Sequence, residues 1–202
     1  MEQIDERRLE TDAEYRFAYV ARSIGFGPPD VRAIRDVAPE LERHLPPLLD
    51  AIYVRFHEFD ATWRHFLSRQ RGCPFSGVPL CRRLETLDVD DGVIRFRKHS
   101  LGLYFRRLLV RPYDRTMVAH LDSMGRLHHA PDNPSRLNVP LVQMNAFMGM
   151  VSDLFTDTIH ALDLPRDRER TTTRAFHKVL WLQSDLITRH YQDPSLVPGD
   201  SR

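Results

Sequence analysis

The sequence predicts an all-α protein of about eight helices, and three observations predict it. Apolar residues recur at i, i+3 and i+4 along most of the chain, while alternating strand patterns are missing. Prolines and glycines cluster between the periodic stretches, where they punctuate helices. The two greasiest stretches, near residues 140–162 and 171–191, are each long enough for a full helix and adjoin in the chain.

The first periodic segment, Ile4 to Ile24, is charged and weakly amphipathic, with Leu9, Tyr15, Phe17 and Val20. Gly25, Gly27, Pro28 and Pro29 are expected to end it. Asp30 is then expected to cap a short helix carrying Val31, Ile34 and Val37. Pro39 fits the first turn of the next helix, which presents Leu41, Leu45, Leu48, Leu49, Ile52, Tyr53 and Phe56. Pro46 and Pro47 lie inside that run and predict a kink or a break. Residues 57–67, with Phe59, Trp63 and Phe66, read as a short helix or turn. Residues 68–91 are the least regular stretch and read as a long loop or a short helix with flanks.

Helical spacing returns from Val93 to Val110 with Phe96, Leu101, Leu103, Phe105, Leu108 and Leu109. Pro112 opens a helix with Met117, Val118, Leu121, Met124 and Leu127, which runs out before Pro131, Asn133 and Pro134. Pro140 opens a helix to about Leu162 that is apolar nearly all round, as expected of a helix buried on more than one side. The last helix covers roughly Thr171 to Tyr191. Asp193 and Pro194 end it, and residues 192–202 are expected to be a disordered tail.

Composition narrows the function. The chain has 202 residues, about one domain's worth, so no second, catalytic or transmitter domain is expected within it. Lys plus Arg is 29 and Asp plus Glu is 28, so neither a broad basic face for nucleic acid nor an acidic tail is expected. No apolar run approaches the roughly 18 to 20 residues that span a bilayer. The charged N-terminus lacks the apolar stretch of a secretory signal, which points to a reducing cytoplasm. Cys73 and Cys81 make neither a disulfide scaffold nor a tetrahedral zinc site.

Ten histidines are the unusual feature. His57-Glu58 is not completed to the zinc-peptidase pattern, and there is no Gly-rich phosphate loop, Gly-x-Ser-x-Gly elbow or Cys-x-x-Cys-His. His120, Met124 and His128 share one helix face, but eight residues put the imidazoles about 12 Å apart, too far for one metal. His128 stands in the last turn of its helix before a Pro-rich break. An imidazole there can point off a rigid rod while a carbonyl of the previous turn accepts its other N–H, which suits an axial haem ligand. Gly125 is expected to let a flat group approach that helix. The plainer reading is a histidine favoured at a helix C-terminus by the macrodipole.

Several pieces decide between these. They are Arg-Pro-Tyr-Asp at 111–114, Met-Gly-Arg-Leu-His at 124–128, Val-Pro-Leu at 139–141, and Ala-Phe-His-Lys-Val-Leu-Trp-Leu-Gln-Ser-Asp-Leu-Ile-Thr-Arg-His-Tyr at 175–191. In residue order these resemble the protoglobins and the sensor domains of globin-coupled sensors, over roughly residues 1–191. The resemblance implies a globin fold with an extra N-terminal helix and a haem pocket. It further implies one globin-like domain over residues 1–191, with 1–25 as the extension. It implies a b-type haem whose iron is held by His128. His129 is the adjacent alternative, but about 100° of helix phase separates the two, so only one can face the iron.

The resemblance also implies a pocket tyrosine at Tyr53, preceded by Ile52, with Phe105 and Leu101 as apolar lining. A tyrosine hydroxyl there can donate to a bound gas and slow its release. Two departures stand out. Where the family often has a Trp beside that tyrosine or a polar residue on the facing helix, this chain has Ile52 and Leu101. The loop from His128 to Val139 is also short. His99 lies well round its helix from Phe105, which argues against it as a second iron ligand. Arg106, Arg107, Arg111 and Arg126 are candidates for the haem carboxylates, none of them favoured.

The expected function is therefore reversible binding of a diatomic gas (O2, CO or NO), for gas sensing or gas binding. The expected partners are the gas, a second copy joined through the last two helices, and a separate signalling protein, with no nucleic acid and no membrane. The alternatives are a haem-dependent redox enzyme of peroxidase or NO-dioxygenase type, and a haem-free helical dimerisation module.

Overall fold

The computed structural model describes residues 1–67, 84–129 and 138–192. Cys73, Cys81 and the C-terminal tail from 193 lie outside the described residues, as does most of the loop after His129. The described residues hold eight α-helices and no strand. They are α1 (Glu6–Thr11), α2 (Ala13–Ser23), α3 (Pro28–His57), α4 (Asp60–Trp63), α5 (Gly92–Val110), α6 (Arg115–His128), α7 (Leu141–His160) and α8 (Arg166–Thr188). Short 3-10 turns follow α4 at Arg64–Phe66 and α8 at Arg189–Tyr191.

The N-terminal segment is two helices rather than one, and Asp12 divides it. Its backbone is extended, and its N–H donates to the Arg8 carbonyl at the end of α1. Its carboxylate accepts from the Glu14 and Tyr15 N–H groups, both at 3.0 Å, and so caps α2.

The expected break at Pro46 and Pro47 does not occur, nor does a boundary at Pro39. Residues 28–57 form one helix through all three prolines. The buried positions explain why. Ile34, Val37, Ala38, Leu41, Leu45, Leu48, Leu49 and Ile52 keep helical phase across the prolines, packed on α5 and α8. That burial outweighs the ladder bonds the prolines cannot donate. Pro28 and Pro29, expected to close the preceding segment, instead open α3, where a missing N–H costs nothing. Asp30 is the third residue of the helix rather than its cap. Its carboxylate accepts from the Gly27 N–H at 2.9 Å and pairs with Lys178 on α8 at 2.8 Å.

α7 is not buried on more than one side. It buries a single stripe of Met144, Met148, Val151, Phe155 and Ile159 and exposes Asn145, Ala146 and Asp153. The core gathers where α3, α5, α7 and α8 meet. There Phe105 stands edge-on to Phe155 at 5.2 Å, and Phe155 stacks on Phe176 at 5.2 Å.

His120 on α6 carries a pH prediction. Arg107 lies 3.5 Å from its Nδ1, and its Nε2 is buried without a hydrogen-bond partner. Burial first, and the Arg107 charge second, hold its pKa below the ordinary histidine value. The folded protein thus resists a proton that the unfolded chain accepts below about pH 6.5, so stability falls on acidification through that range. His120→Gln is expected to narrow the difference in urea midpoint between pH 7.5 and 5.5. An unchanged difference would remove His120 as its source.

Candidate functional site

A cavity opens beside the C-terminal end of α6. α3 contributes Tyr53 and Phe56 to its lining, α5 contributes Arg97, Leu101 and Tyr104, and α6 contributes Met124, Leu127 and His128. α7 and α8 add Phe147, Met148, Gln183 and Ile187. The lining is mainly apolar and aromatic, as small-molecule and cofactor sites usually are.

The end of α6 is fixed from several directions. Asp114 caps its start, accepting from the Met117 N–H at 3.1 Å. At its finish the Val139 N–H donates to the His128 carbonyl at 2.9 Å, closing the loop that follows. Asp122, on the same helix, is 4% exposed. It meets Arg126 at 2.6 Å, His190 at 2.8 Å and Arg189 at 3.3 Å, which ties α6 to the end of α8. A buried carboxylate requires such partners, because desolvation alone would expel it. Arg189 also donates to the Glu10 carbonyl on α1. Arg16 on α2 grips Asp185 through two bonds of 2.7 and 2.8 Å. The N-terminal helices are thereby bound to the frame that carries His128.

Gly125 does not serve the cavity. A Cβ there would strike the His190 ring and come within 2.8 Å of the Ile187 carbonyl oxygen. The glycine lets α6 approach α8, and no flat group has access to it.

His128 lines the cavity and is partly buried. Its Nδ1 lies 2.7 Å from the Met124 carbonyl oxygen. A carbonyl only accepts, so Nδ1 carries the proton and Nε2 carries the lone pair. Burial lowers the His128 pKa, the Met124 bond opposes that, and the Arg97 charge adds to the lowering. A neutral imidazole with one nitrogen already oriented, set in an apolar cavity, has the chemistry of a haem-iron ligand. His129 is placed otherwise: it does not line the cavity, and its ring stacks on Tyr191 at 4.3 Å.

Tyr53 also lines the cavity and is 3% exposed, packed between Phe56 at 5.6 Å and Phe66 at 5.5 Å. Burial pushes its phenol well above the ordinary tyrosine range, against the charge of Arg97, so it stays a neutral O–H donor. Leu101 lines the cavity as well. Ile52 and Phe105 do not. Both are fully buried in the core, each one position and about 100° of helix from a lining residue, Tyr53 and Tyr104. His99 is exposed on the outside of α5.

Tyr104 and Gln183 are among the polar lining residues that have no counterpart in the sequence expectations. The Tyr104 hydroxyl donates to Gln183 Oε1 at 2.6 Å, and Gln183 Nε2 faces Met148 Sδ at 3.5 Å. Gln183 is 1% exposed. The available signal was a polar residue in the buried phase of α8, among Val179, Leu180, Leu182 and Leu186. Nothing local in the sequence pairs it with Tyr104, 79 positions away.

Comparisons with known proteins bear on the family and the fold. The family model described as Protoglobin matches residues 13–196. Among solved structures, the globin domain of the Geobacter sulfurreducens globin-coupled sensor superposes with a TM-score of 0.67 and 18% identity. The match covers 87% of this chain and 97% of that one. At that identity the likeness speaks for the fold, which is the globin fold. No curated protein matches the chain.

Proposed function

The chain belongs to the protoglobin family, and from that premise we propose that it binds haem b and reversibly takes up O2, CO or NO, for gas sensing or gas binding. Membership implies a haem cofactor, and the residues present fit one. The observation that carries the reading is His128, a neutral imidazole on an apolar cavity with Nδ1 committed to the Met124 carbonyl at 2.7 Å. Bound there, haem supplies an iron centre at which diatomic gases bind.

The chain's own residues have three tasks. His128 presents Nε2 as the iron ligand, held in orientation by Met124. The apolar lining, Phe56, Leu101 and Phe147 among it, excludes water from the site. Tyr53 supplies a hydroxyl that stays protonated and can donate to a bound gas. Apolar surface on the last two helices supports a homodimer through them: Val142 on α7 is 72% exposed and Trp181 on α8 is 70% exposed. The sensor named in the structural relative supports a signalling role.

The test is the absorption spectrum of the full chain after haem reconstitution and dithionite reduction, with and without CO. A Soret band that shifts on CO addition is expected, and an empty Soret region overturns the reading. In the reconstituted protein, Tyr53→Phe is expected to release O2 faster by on the order of tenfold, the value of one hydrogen bond. An unchanged release rate takes Tyr53 out of the ligand site.

A further inference from the structure

α6 turns two different faces to the rest of the protein. On one, Met124, Leu127 and His128 line the cavity. On the other, Asp122, Gly125 and Arg126 share a face at the three- and four-residue spacing of a helix. Asp122 and His128 point about 120° apart around the helix axis. The second face meets the end of α8. Asp122 meets His190 at 2.8 Å and Arg189 at 3.3 Å, and Gly125 leaves no room for a Cβ beneath His190 and Ile187.

The Met124 carbonyl that orients the His128 imidazole belongs to α6 itself, one turn earlier. It fixes the ring relative to the helix, and the two would roll together. What aims the ring at the cavity is therefore the set of contacts between α6 and other helices. Met117, Val118 and Leu121 bury α6 in the core, but apolar contact has no direction. The Arg107–His120 contact is long at 3.5 Å, and the Arg115–Glu14 pair is open to solvent. Asp122 is buried and directional. A roll of α6 would draw its carboxylate away from His190 and Arg189 and leave a buried charge short of partners, which is strongly unfavourable. Arg189 is itself held by the Glu10 carbonyl on α1, so it does not simply follow Asp122.

We propose that Asp122 is a positioning residue for the iron ligand: through His190 and Arg189 it fixes the roll of α6 and so aims the His128 imidazole at the iron. This rests on the haem reading above.

The test has two readouts on the full chain. One is the iron–histidine stretching band in the resonance Raman spectrum after haem reconstitution and dithionite reduction, without gas. The other is haem affinity from Soret titration of the apo chain. Asp122→Leu is expected to lower and broaden the band, because an imidazole presented off-axis bonds iron more weakly and in more than one orientation. It is also expected to weaken haem binding by about tenfold or more, the low end for groups that orient a metal ligand. Asp122→Asn keeps an acceptor oxygen for both partners and should change both readouts less. Lys178→Met is the control for stability alone. It breaks the partly buried Lys178–Asp30 pair between α8 and α3, and should leave band and affinity in place. Should Asp122→Leu fail to fold, His190→Phe removes one of the same contacts from α8 and is expected to move both readouts the same way. If neither readout moves when the contact is removed, or if both move as far in Lys178→Met, the assignment is overturned. A wild type with no Soret band after reconstitution overturns the haem reading, and the assignment with it.

Discussion

His128→Gly is expected to weaken haem binding by more than about a hundredfold. Loss of groups that merely orient a metal ligand costs about ten- to a hundredfold, and this substitution removes the proposed ligand itself. The rest of the site should survive. Tyr53, Leu101 and Gln183 stand on helices other than α6, and α6 keeps its hold on α8 through Asp122. Added imidazole is therefore expected to restore haem binding and a CO-sensitive Soret band, since the space left by the side chain is the size of the ring. His129→Ala is the paired experiment. That ring stacks on Tyr191 and does not line the cavity, so its loss should leave the spectrum in place. If His128→Gly binds haem like the wild type and His129→Ala does not, the two histidines exchange roles.

Gly125→Ala is expected to destabilise the fold by about 2 kcal/mol, which for a chain of this size lowers Tm by roughly 4–8 °C. The sign is the informative part. Within a helix, alanine ordinarily gains up to about 1 kcal/mol over glycine. At Gly125 the added Cβ would lie 2.8 Å from the Ile187 carbonyl oxygen and 3.0 Å from Ile187 Cα, both backbone atoms of α8. A side chain can swing aside, but those atoms move only if the helices part. Parting them would also stretch the contacts of Asp122 with Arg189 and His190. Gly149→Ala on α7 is the contrast: a Cβ there meets nothing within 4 Å, and that variant should be slightly stabilised. If both variants gain stability, α6 and α8 are not in close contact at Gly125.

The two residues also mark how far the sequence could be read. His128 was legible as a residue at the end of its helix, and the structure sets it on the cavity. Gly125 was legible as a glycine with a purpose, yet the purpose was misplaced, since nothing local shows that His190 and Ile187 occupy the space above it. Arg97 was passed over for the opposite reason. An arginine on an amphipathic helix is ordinarily solvated, and only the packing of α3 and α6 around α5 shows that this one borders the cavity.

The prolines of α3 teach the same lesson about backbone. Local chemistry at Pro39, Pro46 and Pro47 argues for interruption, while the apolar phase from Ile34 to Ile52 argues for continuity. Burial against α5 and α8 decides for continuity.

Periodicity along the chain was enough to specify helices and most of the faces they bury, because a 3.6-residue repeat is a local property. The helix C-terminus that presents His128 and the placement of Tyr53 on a buried helical face were likewise local. The long-range pairs were settled only in three dimensions: Tyr104 with Gln183, Asp122 with Arg189 and His190, and Arg97 on the cavity that His128 also lines. Such a pair depends on the relative placement of two helices distant in the chain, and that placement results from the packing of all the helices together.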